Sequence, residues 1–154
     1  MPRNSLRFPL GLRNWLWIAF GSLFVTGALW LVLHYCANPE NDSDAPRLPL
    51  EPWLLRIHGL AAYITLLALG AVYVRHVRPA WRAKRNRPSG TLLTGSLALL
   101  ILSGYGLYYF GGESLRQWTA YLHDFLGLVL PVLLLFHILR GRARRPKVVS
   151  LPPK

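Results

Sequence analysis

Four long apolar stretches divide this chain, at about residues 15–35, 53–74, 91–110 and 118–139, and most polar positions collect between and beyond them. A helix needs roughly 20 apolar residues to cross about 30 Å of hydrocarbon, and each stretch meets that length. The first and third contain no charged residue, the second carries Arg56, and the fourth carries Asp124. The pattern predicts an all-α membrane protein, a four-transmembrane-helix bundle forming one domain over residues 1–140. Its connections are mostly short, which favours antiparallel neighbours and an up-down order. The first stretch is too long for a signal-peptide core, and no small-residue cleavage pattern follows it.

Charge orients the bundle. Arg3, Arg7 and Arg13 precede the first span, six basic residues lie at 75–87, and six more lie at 140–154. Fifteen of the eighteen basic residues therefore fall on one side, and all six acidic residues fall on the other or within the fourth span. The positive-inside rule then predicts that both termini are cytoplasmic. The same split accounts for the net charge of +12. Three juxtamembrane clusters suit topology and anionic lipid headgroups rather than nucleic acid. Residues 141–154, basic and proline-bearing, are expected to form a mobile cytoplasmic tail. The one cysteine, Cys36, cannot close an internal disulfide, and no Cys-x-x-Cys-His motif is present for covalent haem attachment.

The chemistry-bearing residues are histidines. His58 and His76 are 18 residues apart, five whole turns at about 100° per residue, so both lie on one face, roughly 27 Å apart. His123 and His137 are 14 apart, which leaves them about 40° from alignment and roughly 21 Å apart. By depth, His58 pairs with His123 near the outer face and His76 with His137 near the inner face. Ionisable or metal-ligating side chains within a span are costly and mark functional sites. Two facing pairs at two depths are what two haems require as axial iron ligands. The spacings differ by four residues, about 6 Å, and helix tilt or a kink at Pro131 would have to absorb this. His76 is consequently the weakest member, with a solvated interfacial histidine as its alternative.

Other residues fit around these pairs. Arg56 is the outer candidate to hold a haem propionate, with Arg75, Arg78 and Arg140 as inner ones. Asp124 is expected to pair with Arg56 or Arg116, the alternative being a proton-accepting role in quinone chemistry. Glycines 21, 27, 59, 95, 104, 106 and 127 either make room for a macrocycle or serve helix packing. His34 has no partner at its depth by count and is expected to face water.

The fourth span, with His123-Asp124-Phe125-Leu126-Gly127 and then Leu-Phe-His137-Ile-Leu, resembles the last haem-bearing helix of the prokaryotic cytochrome b561 family. Similar helices occur in membrane cytochrome b subunits of hydrogenases. The resemblance is close over about 25 residues and loose over the four-helix plan. It implies a bacterial inner membrane, two b haems with bis-histidine ligation at His123, His137 and their partners, and electron exchange with quinone or quinol. Family members often open the first helix with a basic residue followed by His-Trp. Here Arg13-Asn14-Trp15 has asparagine, so His76 would have to supply the fourth ligand.

The expected function is electron transfer between two haems, with quinone and a redox protein as partners. A quinol- or superoxide-linked oxidoreductase activity is left open. A metal-ion or proton transporter and a non-haem anchor subunit are the alternatives.

Overall fold

The computed structural model describes residues 10–36 and 49–143. Its helices are α1 Leu10–Cys36, α2 Leu50–Val72, α3 Arg78–Arg82, α4 Arg87–Tyr109 and α5 Glu113–Ala143, with one π-helical turn, Tyr73–Val77, joining α2 to α3. No strand occurs among the described residues. Four helical stretches are long and apolar enough to cross a membrane: Leu10–Cys36, Leu50–Arg82, Arg87–Tyr109 and Glu113–Ala143.

Three of the four run past both ends of the predicted spans, and the third begins four residues early. In lipid an unpaired backbone group is costly, so a helix that keeps its N–H and C=O groups paired has no reason to stop where the apolar residues stop. Pro88, Ser89 and Gly90, which precede the predicted third span, form the first turn of α4. Proline suits that position because a first-turn N–H has no intrahelical acceptor. The connection before it turns on Lys84 and Asn86, both with positive φ. Asparagine is one of the few residues besides glycine that adopt this backbone region routinely. Most of the connection between the first two predicted spans, residues 37–48, lies outside the described residues, as do residues 144–154 of the expected tail, whereas residues 141–143 are helical.

α1 packs along α2 and α4 along α5, and α1 also touches α5. Apart from Leu54, the buried residues are small or polar. Ala19, Leu54 and Ala61 are the buried apolar residues among those described, whereas Thr65, Ser89, Ser96, Ser103 and Thr119 are buried polar ones. Large apolar side chains point outward instead, as with Leu67 at 80% exposure. Lipid offers no hydrophobic drive between helices, so close backbone approach over small residues takes its place. The buried hydroxyls satisfy themselves within their own helices: Thr65 donates to the Ala61 carbonyl at 2.7 Å and Thr119 to that of Leu115 at 2.7 Å. Ser89, Ser96 and Ser103 recur every seven residues, which lays them along a single face of α4.

Candidate functional site

α2 and α5 meet through their histidines. The ring centres of His58 and His123 are 6.3 Å apart with planes at 77°, and those of His76 and His137 are 6.3 Å apart at 83°. The pairs occur in the same order along both helices. Counting by depth gives these same partners. On the second span His76 lies inside the π turn that joins α2 to α3, and that turn takes up about 1.5 Å of the roughly 6 Å difference in spacing. Pro131 lies inside α5 without ending it.

The neighbouring helices hold the rings from behind. Nδ1 of His58 lies 3.0 Å from Thr26 Oγ1 on α1. Nδ1 of His123 lies 2.9 Å from Ser103 Oγ, and Nδ1 of His137 lies 3.0 Å from Ser89 Oγ, both on α4. A hydroxyl has one proton to donate. Thr26 gives it to the Ser22 carbonyl at 2.7 Å, Ser103 to that of Leu100 at 3.2 Å, and Ser89 to that of Asn86 at 3.4 Å. With the hydroxyl protons so placed, each hydroxyl oxygen can accept from a histidine Nδ1–H, and that tautomer leaves the Nε2 lone pair free to ligate a metal. An N–H donated to a fixed acceptor is also how metal-binding histidines are oriented.

A glycine follows each of these hydroxyl residues, and each glycine faces the ring its neighbour anchors. A Cβ at Gly27 would lie 3.1 Å from Cε1 of His58, one at Gly104 would lie 3.3 Å from Cε1 of His123, and one at Gly90 would lie 3.7 Å from Cε1 of His137. The imidazole edges seat directly on helix backbone at these points. Gly21, Gly59, Gly95 and Gly127 have nothing within 4 Å of such a Cβ. Gly106 instead receives the ring of Phe110, where α4 ends. Asn86 closes the inner end by donating from Nδ2 to the His137 carbonyl at 3.2 Å.

The remaining predicted residues behave differently. Arg56 is exposed and stacks on Trp53, its guanidinium carbon 4.9 Å from the ring centre. Among the described residues no ion pair joins Asp124 to Arg56 or Arg116. His34 does not simply face water: it stacks on Trp30 at 4.5 Å and lies 3.5 Å from the carboxylate of buried Glu51. Arg140 sits 5.8 Å from the Phe136 ring centre, on the same turn as His137. Sequence reasoning missed Thr26, Ser89, Ser103 and Glu51. The first three did leave a signal: a hydroxyl residue followed by glycine occurs at 26–27, 89–90 and 103–104, and the last two lie 14 apart, as do His123 and His137.

Among the described residues no group of three or more His, Cys, Asp and Glu side chains is placed to bind a metal ion. Each pair offers two imidazoles, so an ion held there would have to bring its other ligands with it, as porphyrin iron does. An imidazole nitrogen lies about 1.1 Å from its ring centre and a first-row metal–imidazole bond is about 2.0–2.1 Å, so two imidazoles bound to opposite sides of one ion have centres about 6.3 Å apart. Both pairs stand at that separation.

No family model, curated protein or solved structure matches the chain. The resemblance to cytochrome b561 rests on the fourth-span residues and, loosely, on the four-helix plan.

Proposed function

We propose that the chain is a dihaem b-type cytochrome of the bacterial inner membrane, an up-and-down bundle with both termini in the cytoplasm. The observation that carries this reading is the equal 6.3 Å separation of the two histidine pairs. His58 and His123 would hold the outer haem, and His76 and His137 the inner one. With both axial positions filled, each haem supplies outer-sphere one-electron transfer rather than oxygen binding.

The protein's own contribution follows from its contacts. Thr26, Ser103 and Ser89 keep the proton on Nδ1 and fix the ring planes. Gly27, Gly104 and Gly90 let the rings sit back against the helix so that Nε2 faces the opposing helix. The 14 residues from His123 to His137 set the two sites about 21 Å apart along α5, so electrons move between sites near opposite faces of the membrane. Quinone or quinol is the small-molecule partner. The polar groups next to the outer site, His34, Glu51 and Asp124, are those its ring oxygens would meet. A redox protein at the outer face is the other partner, and anionic lipids lie against the inner arginines.

A reduced-minus-oxidised spectrum of the chain purified from haem-replete cells tests the reading. The expected result is a b-type absorption band that develops with dithionite and is discharged by a soluble quinone. A flat spectrum would exclude haem, and a band that quinone leaves unchanged would exclude quinone exchange.

A further inference from the structure

Between Tyr73 and Val77 the second span departs from α-geometry, and this is where one of the four histidines sits. The backbone N–H of Arg78 bonds the carbonyl of Tyr73, five residues back instead of four. Pro79 follows immediately. Proline donates no N–H, and in an α-helix its ring strikes the carbonyl four residues earlier, here Arg75. Slipping the ladder by one residue moves the carbonyls out of that register. The helix then continues as α3 through Arg82.

The slip has a geometric effect on His76. A π turn takes in one more residue than an α turn, so the chain beyond it is set back by one residue, about 100° and 1.5 Å. His76 lies within the turn and takes part of that rotation. Without it, 18 residues make five whole turns and His76 stands directly below His58. On α5, the 14 residues between His123 and His137 fall about 40° short of whole turns. The π turn makes α2 fall short in the same sense, and the inner rings meet at the outer pair's distance.

We propose that Pro79, through the π turn, is a positioning residue for the inner haem site, setting His76 in register with His137. The proposal rests on the dihaem reading and adds a residue that touches neither ring nor cofactor. Similar π bulges inside α-helices commonly occur at functional sites.

Wild type and Pro79→Ala are compared by haem-to-protein ratio and low-temperature spectrum, with His137→Ala as the reference. With alanine at 79 the span reverts to α-helix, His76 rotates away from His137, and the ratio falls from two to one, leaving the spectrum of the His137→Ala protein. The retained outer haem shows that the bundle has folded. A Pro79→Ala protein with two unaltered haems overturns the proposal, as does one that loses both haems, which a role in general stability would produce. Wild type with no haem overturns the dihaem reading itself, which separates the two failures.

Discussion

Replacing His123 with alanine is expected to reduce haem content from two per chain to one. The retained haem should be the inner one, with its spectrum unchanged. His123 has no histidine substitute at its depth on α5, and Ser103 lies within reach of its own helix carbonyl. The companion variant His58→Ala should give the same product. The double variant should lose no more than either single one, since two ligands to one iron act as a unit and their effects do not add. His137→Ala should give the complementary protein, with the outer haem alone. Haem extraction and quantitation of the four proteins reads all of this directly. Two haems in His123→Ala would reject the outer pair as drawn.

The second large effect needs no ligand to be touched. A methyl group at Gly27 would lie 3.1 Å from the His58 ring, one at Gly104 would lie 3.3 Å from the His123 ring, and one at Gly90 would lie 3.7 Å from the His137 ring. The first two are tighter than ordinary contact, and the third is ordinary contact. Overpacking of this kind costs about 1–3 kcal/mol, or roughly five- to 150-fold in an equilibrium constant. Gly27→Ala should weaken haem retention at the outer site most, Gly104→Ala less, and Gly90→Ala hardly at all. Gly27→Val, with two further carbons against the ring, should remove the outer haem altogether. Gly21→Ala, in open space on the same helix, should retain both. Haem loss during graded detergent washing measures the order. An equal loss at all four glycines would place the effect in general helix packing rather than at the rings.

The pairing of His58 with His123 and of His76 with His137 was legible because helical rise converts residue count into depth. The four-residue mismatch was legible too, but not the π turn that takes up about one residue of it. A π turn is a small change in backbone register, and its sequence mark is a single proline, Pro79, which reads equally well as a helix end. The spans were drawn short because hydropathy marks where apolar residues stop, not where hydrogen bonding stops. The partners of the rings were missed for a related reason. Ser89, Ser103 and Thr26 look like ordinary small packing residues, and only their position before a glycine and opposite a histidine sets them apart. The Asp124 ion pair was misjudged because Arg56 has an alternative in the face of Trp53, an aromatic contact of about 0.5–1 kcal/mol at an exposed site. Pairing by charge sign alone takes no account of such competition. His34 was assigned to water because its neighbour, Glu51, lies 17 residues away across a connection whose path composition does not reveal.

The most direct test of the bis-histidine pairs is the number of haem b groups per chain in wild type, counted by pyridine haemochrome against amino-acid analysis after purification from haem-replete cells. Two per chain is the expected value. None would contradict both pairs, and one would leave a single pair of rings at 6.3 Å without the role proposed for it.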